Sequence, residues 1–317
     1  MTTIYDLARV TGISKSTVSR VVSGQGYVSA AKRQRILAAM RELHYIPNQR
    51  AKNLRRQRTN TIGFLLREYF PLAGEFMDVF VHEAARYGFT VNVYFTQNAE
   101  TERQTLDLLA SGALDAVFIL TRINDWDVIS RYTQFGPIAT WQRVDRPDIY
   151  SNYLDHYPLY LKILEQLYRE GHRQIGHVLS DRSSANTQAR LRAIATFQAR
   201  HPDAAMTFVC HFATQQNAGK TAAKRWLAAA ARPHAVVFFA DYVAAEFVAT
   251  LRRAGGACPP DCTVVSTDNS AIAKLTAIRT MDLGFRSQAC NGVRYLVGQL
   301  TDQELAAETI RPHWVKA

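Results

Sequence analysis

No segment of the chain approaches the roughly 20 consecutive apolar residues that a bilayer-spanning helix needs, although 47% of its residues are hydrophobic. The N-terminus opens on a polar helix start, so no signal peptide and a cytoplasmic location are expected. Cysteine is scarce. Cys210, Cys258, Cys262 and Cys290 are scattered through 317 residues, a usage that fits free thiols in a reducing compartment. Cys258 and Cys262 flank Pro259-Pro260-Asp261, with no second Cys or His pair nearby to complete a metal site. Motifs of catalysis and nucleotide binding are missing too: there is no G-x-G-x-x-G, no G-x-x-x-x-G-K-[ST], no H-E-x-x-H and no G-x-S-x-G. The nine histidines are dispersed, and His172, after Glu170-Gly171, reads as a helix end followed by a strand start. Neither catalysis, nor a resident metal, nor a cofactor is expected. No internal repeat and no low-complexity tract interrupts the chain.

Acidic residues are nearly absent from one region. Residues 1–58 contain twelve lysines and arginines against only Asp6 and Glu42, so this stretch carries +10 of the chain's net +11. Excess charge confined to one small domain is the footprint of phosphate contacts and predicts binding that weakens steeply with salt.

The same stretch holds two short amphipathic patterns joined by a turn. Ile4, Leu7 and Ala8 share one helical face; Thr3, with Asp6 three residues on, makes a capping-box-like start, and Gly12 supplies the stop. Ser14 then caps a second helix in which Val18, Val21 and Val22 repeat the apolar spacing up to Gly24. This is the helix-turn-helix pattern. The polar face of its second helix carries Lys15, Ser16, Thr17, Ser19 and Arg20, the hydroxyls and long cations that a helix lying in a major groove uses to read base edges. A third helix runs from Ser29 to about His44 with Ile36, Leu37, Met40 and Leu43 inward.

Together Thr3-Ile4-Tyr5-Asp6-Leu7-Ala8, Ser14 to Val22, Tyr27-Val28-Ser29, Leu43-His44-Tyr45-Ile46-Pro47-Asn48 and Ala51 with Leu54 closely resemble the head and hinge of LacI-type bacterial transcription regulators. The match is nearly gap-free over about 60 residues. The resemblance implies a helix-turn-helix head over 1–46 and a hinge helix and linker over 47–60. By composition alone, 47–58 is a charged linker too polar to bury a core. The resemblance implies instead that it folds on DNA, where paired hinge helices enter the minor groove and a leucine wedges between base pairs. Leu54 matches that leucine, and Ala51 one turn earlier allows close approach. The DNA-contacting set it implies is Thr3, Tyr5, Ser14, Lys15, Ser16, Thr17, Ser19, Arg20, Tyr27, Asn48, Arg50, Ala51, Leu54 and Arg55.

From Thr61 the texture changes to alternating apolar runs and helical patterns. Strands are predicted at 62–66, 91–95, 116–120, 138–141, 174–179, 207–210, 235–239 and 263–267, and near 309–315. Helices are predicted near 74–87, 99–111, 125–134, 157–170, 186–200, 217–230, 243–254 and 287–300. Such alternation calls for parallel α/β lobes with right-handed crossovers. The resemblance implies a two-lobed, periplasmic-binding-protein-like α/β core over 61–317. Its N-lobe would comprise about 61–155 and 282–308, its C-lobe about 156–281 and 309–317, with a ligand cleft between them.

Small molecules sit beyond the carboxyl ends of strands in open α/β sheets, and sugars call for carboxylates, Arg forks and an aromatic surface. Arg67 and Tyr69 follow the first strand, Asp155 lies at a crossover, Trp141 ends a strand, and each is a candidate for the effector site. Arg192, Asp241 and Asp268 match effector positions of the family, though an Asp after a strand also serves as a helix cap. The chain departs from the family pattern at Ala240-Asp241, Ser266-Thr267-Asp268, Ala195 and Ala273 to Ala277, so its pocket differs from those of well-known members. Arg67 and Arg143 would suit an anionic ligand such as a sugar phosphate or sugar acid. No leucine heptad follows the last strand, and a homodimer on double-stranded palindromic operator DNA, with no membrane partner, is expected. The reading is a repressor of carbohydrate-use genes, controlled by a sugar or sugar derivative. A relative whose core answers to a partner protein is the alternative. A sugar-binding transport receptor would share the core without needing the basic head.

Overall fold

The computed structural model describes residues 2–24, 26–46, 58–258 and 261–315, and the chain divides into two compact units, Met1–Thr59 and Asn60–Ala317. The hinge-helix expectation, with Asn48, Arg50, Ala51, Leu54 and Arg55, lies outside the described residues.

In the first unit three helices, α1 (Ile4–Thr11), α2 (Lys15–Ser23) and α3 (Ala30–Glu42), enclose Leu7, Val18, Val21, Val28, Ile36 and Ala39. The local sequence sets each boundary. Thr3 and Asp6 form a reciprocal capping box on α1, and the Ser14 hydroxyl accepts the Thr17 amide at the start of α2. Gly12 and Gly24 end the two helices at φ 60° and 72°, a left-handed conformation that costs a residue with a Cβ more than it costs glycine.

The second unit contains two sheets. The first orders its strands β2-β1-β3-β4-β5, all parallel, from β1 (Thr61–Leu66), β2 (Thr90–Phe95), β3 (Ala116–Ile119), β4 (Ile138–Thr140) and β5 (Tyr150–Ser151). The second orders its strands β11-β10-β9-β8-β6-β7, from β6 (Ile175–Leu179), β7 (Val209–His211), β8 (Ala235–Phe238), β9 (Thr263–Thr267), β10 (Arg279–Asp282) and β11 (His313–Trp314). Only β11 runs antiparallel to its neighbour. Each sheet thus repeats the doubly wound order 2-1-3-4-5, whose switch point opens a crevice beyond the strands that start each half.

Helices α4 (Pro71–Arg86), α5 (Ala99–Ala110) and α6 (Trp126–Ser130) belong to the first lobe. The second carries α7 (His156–Arg169), α8 (Ala185–Arg200), α9 (Ala218–Ala228), α10 (Asp241–Arg253) and α11 (Ala271–Thr276). The last helix, α12 (Phe285–Thr301), returns to the first lobe and packs on α4. There Glu83, 4% exposed, accepts from Arg294 at 2.8 Å and from Arg86 at 2.8 Å. The chain therefore passes between lobes after β5, after β10 and again before β11.

The first core is aromatic. Phe64 stacks on Phe118 with centroids 5.5 Å apart, and Phe76 and Phe80 close over the pair. In the second lobe α9 meets α10 so closely that a Cβ at Gly219 would lie 2.0 Å from the Val243 carbonyl oxygen. Only glycine fits there.

Three elements went unread in the sequence: β5, β10 and α11. Strand β10 has one apolar inward residue, Met281, and forms by pairing between β9 and β11, so no apolar run announces it. Conversely, the terminal strand shrinks from the expected 309–315 to two residues, because Pro312 brings no N–H to a ladder. Helix α4 starts three residues earlier than its apolar period suggested, at Pro71, where the missing N–H is harmless.

The second lobe buries several ionisable side chains, and His177 shows the consequence for stability. His177 on β6 is fully buried; its Nδ1 is 2.8 Å from the Tyr160 hydroxyl and its Nε2 3.0 Å from the Met206 sulfur. Burial pushes its pKa down from 6.5 to about 3. The fold therefore favours the neutral ring. That contribution is complete above pH 6.5 and is lost as pH falls towards 3, at about 1.4 kcal/mol per pH unit. In His177→Gln, which keeps a partner for Tyr160 but cannot titrate, the loss of stability over this window should be several-fold shallower in urea melts. Parallel pH profiles for the two proteins would assign the acid sensitivity elsewhere.

Candidate functional site

In the head, the exposed side of α2 presents Lys15, Ser16 and Arg20, with Ser14 just before the helix and Thr3, Tyr5 and Tyr27 also exposed. Thr17 and Ser19 are half-buried, and Thr17 is drawn into the cap, its hydroxyl 2.9 Å from that of Ser14. Lys15 is not a free cation. Its ammonium donates to the Tyr5 hydroxyl at 2.6 Å and lies 4.2 Å from the centre of the Tyr5 ring, and that hydrogen bond lowers the Tyr5 pKa. Arg20 has a different support: its aliphatic stem lies against Gly26, where an added Cβ would meet Cδ at 3.4 Å. Both cations thus start from defined positions at the first and last turns of α2, which limits the rotamer entropy lost on contacting DNA.

In the core, a cavity of about 480 Å³ opens between the lobes at the carboxyl ends of the strands. Tyr69, Phe70 and Pro71 line it from the end of β1, Ser180 from β6, and Phe212 to Gln216 from β7; Phe239 and Tyr242 come from the β8–α10 turn. Arg67 is exposed beside it and lies near Asp181 of the other lobe. Tyr69 is 63% exposed.

A separate set of polar groups clusters around Asp268. Its backbone has φ 122°, followed by Asn269 at φ 57°, a strained pair of the kind that persists where the surroundings over-determine it. Burial pushes the Asp268 carboxyl well above the usual carboxylate range; the Asp241 charge adds to this, while Arg190 and the Asp241 amide oppose it. Arg190 is 3% exposed, donates towards His156 Nδ1 at 3.2 Å, and has an Nε with no partner. The Tyr153 hydroxyl and Asn269 Oδ1 are buried without partners as well. Burial raises the Tyr153 pKa, Asp155 adds to it, and Arg143 and Arg192 act against it, so residues of both lobes converge on that hydroxyl. One hydrogen bond spans the lobes here: Glu75 of α4 accepts the Ala271 amide, the first of α11, at 2.9 Å.

Several expected effector residues are placed otherwise than expected. Asp241 does not face the cavity. It is 1% exposed and accepts from the Ser270 amide and hydroxyl, both at 2.8 Å, from Thr280 at 2.7 Å and from Ser266. Trp141 packs edge-on to Phe76, and its indole N–H donates to the Leu120 carbonyl at 2.7 Å. Asp155 is exposed and caps α7 through the Tyr157 amide at 3.0 Å. Arg192 is exposed, whereas Arg190, two residues earlier, is the buried one. Sequence reasoning missed Arg190, but the signal was present: it falls in the stripe of Thr187, Ala193, Ile194 and Phe197 on α8, while position 192 lies on the opposite side.

A basic helix-turn-helix head and a two-lobed core with a crevice at its switch points define a DNA-binding protein with a small-molecule-binding scaffold. Residues 3–48 match the bacterial regulatory proteins of the lacI family, and residues 164–316 match the periplasmic binding protein-like domain. The chain is 29% identical over 292 residues to the NTD biosynthesis operon regulator NtdR of Bacillus subtilis (strain 168), covering 89% of this chain and 88% of that protein. It is 27% identical over 290 residues to catabolite control protein B of the same organism, covering 89% and 90%. The fold superposes on the Lac repressor dimer bound to operator and the anti-inducer ONPF with a TM-score of 0.85 at 23% identity, over 99% of this chain and 98% of that one. The chain belongs to the LacI family: it is a DNA-binding transcription regulator and not an enzyme. Among the described residues no helix is long and apolar enough to cross a membrane.

Two substitutions separate site from scaffold. Asp241→Ala leaves the Ser266, Ser270 and Thr280 donors buried without an acceptor, at about 1–3 kcal/mol for each such group. It should lower the core's melting midpoint by several degrees while head–DNA affinity stays constant; an unchanged midpoint would remove Asp241 as the tie. Arg20→Ala should relax base preference at one operator position in a duplex-selection experiment. Uniform weakening on all sequences would make Arg20 a phosphate contact.

Proposed function

We propose that this regulator is a cytoplasmic, homodimeric repressor of carbohydrate-use genes, whose core binds a sugar or sugar derivative between its lobes. Paired heads read a palindromic double-stranded operator through Lys15, Ser16 and Arg20, with Thr3, Tyr5, Ser14, Thr17, Ser19 and Tyr27 placing the helix on the backbone. The hinge residues Asn48, Arg50, Ala51, Leu54 and Arg55 complete the contact, with Leu54 as the wedge. Ligand binding changes lobe closure and through it the readiness of the paired hinges to engage DNA. A tenfold coupling needs about 1.4 kcal/mol between ligand and operator.

The observation that carries the ligand assignment is the set of buried groups without partners beside Asp268: Arg190 Nε, the Tyr153 hydroxyl and Asn269 Oδ1. A donor, an acceptor and a hydroxyl left open together are what a polyhydroxylated ligand satisfies, since each sugar hydroxyl both gives and accepts a hydrogen bond. Tyr69, Phe212 and Tyr242 beside the cavity supply the flat apolar surface for the face of a ring. Arg67, Arg143 and Arg192 add positive potential, which supports a carboxylate or phosphate on the ligand. Asp268 serves as the acceptor for ring hydroxyls, and Asp241, Asp155 and Trp141 act by holding the walls.

The test is a thermal-shift screen of the whole protein against neutral sugars, sugar acids and sugar phosphates. A ligand at a hundred times its Kd adds about 2.7 kcal/mol, which raises the core's midpoint by roughly 2–4 °C per kcal/mol at this size. We expect one anionic class to shift the wild type, Arg190→Met to abolish the shift, and Arg192→Ala to weaken it. A shift that survives Arg190→Met would place the ligand elsewhere. No shift from any class would sink the carbohydrate reading.

A further inference from the structure

We propose that Tyr5, on α1, decides which base Lys15 reads from α2. It holds the Lys15 ammonium so that two remaining N–H donors face the O6 and N7 of a guanine. The proposal rests on the reading of α2 as the helix whose side chains meet base edges.

Lys15 sits at an unfavourable place for a cation. It is the first residue of α2, and the first turn of that helix holds no acidic residue. A positive charge there meets the positive end of the helix dipole, so local helix stability does not account for it. The N-terminal residues of a recognition helix are the ones that reach base edges. Asp6, the one carboxylate of α1, is already engaged by Arg9 at 3.1 Å and by Thr3. The ammonium rests instead on a phenol, donating to the Tyr5 hydroxyl at 2.6 Å and lying 4.2 Å from the ring centre. A neutral partner fixes the group and leaves its whole charge for DNA.

Fixing matters because lysine is a point charge on a flexible four-carbon stem. A loose ammonium follows the nearest phosphate and adds affinity without sequence preference. Held by Tyr5, it keeps one of its three N–H donors on the hydroxyl and turns the other two away from α1. Two donors on one nitrogen suit two neighbouring acceptors. Guanine presents such a pair in the major groove. Adenine sets N7 beside a donor, thymine has one acceptor beside a methyl, and cytosine offers a donor. The Tyr5 ring is 63% exposed and stands outside the core that Leu7, Val18 and Ile36 form. Two helices thus share one reading unit, with the ring on the first and the charge on the second. Tyr5 is a positioning residue that acts through Lys15.

The test uses the whole protein on an operator taken from a random-duplex selection, with dissociation constants measured for every base at each position. We expect Lys15→Ala to relax preference at one guanine by about tenfold. Tyr5→Phe keeps the ring and the lysine charge. It should relax the same position by a similar factor while the salt dependence of binding stays unchanged. The double variant should lose no more than the weaker-binding single one. The wild-type protein supplies a second measurement: 7-deazaguanine at that position, which lacks the N7 acceptor, should weaken binding several-fold and leave Lys15→Ala unaffected. A Tyr5→Phe protein that weakens on all duplexes equally, or keeps its preference intact, would overturn the role of Tyr5. A relaxed position other than guanine would overturn the choice of base. No change at any position in Lys15→Ala would instead overturn the underlying reading of α2.

Discussion

The C-terminal lobe is organised around one buried carboxylate. Asp241 opens α10, and its two oxygens accept hydrogen bonds from β9 through Ser266, from the start of α11 through Ser270, and from β10 through Thr280. Burial alone raises its pKa, and these donors act against that shift. An unpaired carboxylate at this depth would be several kcal/mol unfavourable; with four hydrogen bonds, it fixes where three elements end. The segment between them, Asp268 and Asn269, is thereby held at positive φ. Arg190 acts on the Asp268 carboxyl from α8, and the cross-lobe bond of Glu75 to the Ala271 amide lies just after that segment.

The residues around Asp268 are polar and underpaired. Buried polar groups in a folded protein nearly always find partners: Glu102 takes the amides of Ile123 and Asn124 at 2.8 and 2.6 Å, and the Trp226 indole finds the Pro233 carbonyl at 3.0 Å. Around Asp268, by contrast, Arg190, Tyr153 and Asn269 each keep a buried polar atom without a partner. The head follows a similar division. Its small core of Leu7, Val18 and Ile36 and its caps hold three helices, while Tyr5 and Gly26 hold the two cations that face outward.

Much of this was legible in the residue order. The helices of the head follow from Thr3, Gly12, Ser14 and Gly24, because caps and left-handed stops are local chemistry. The parallel strands that carry dense apolar runs, such as Ile62 to Leu66 and Ala235 to Phe239, were equally plain. What escaped depends on partners distant in sequence. Strand β10 exists because β9 and β11 flank it, and α11 is too short to show a period. At the site, a match of motif pointed to Arg192, but helical phase places Arg190 inside with Ile194 and Phe197. Asp241 looked like a ligand group because an acidic residue after a strand faces a cleft in many α/β proteins. Ser266, Ser270 and Thr280, which occupy it, lie 25 to 39 residues away.

The bond between Glu75 and the Ala271 amide has an evolutionary consequence. One half of the contact is main chain, and every residue type except proline offers the same N–H there. On the proposed function, the lining of the C-terminal half of the pocket can drift towards new ligands without losing this contact between the lobes. Only the N-terminal half must keep a carboxylate in place. On that reading, such a scaffold can change its ligand while one contact between its lobes stays the same.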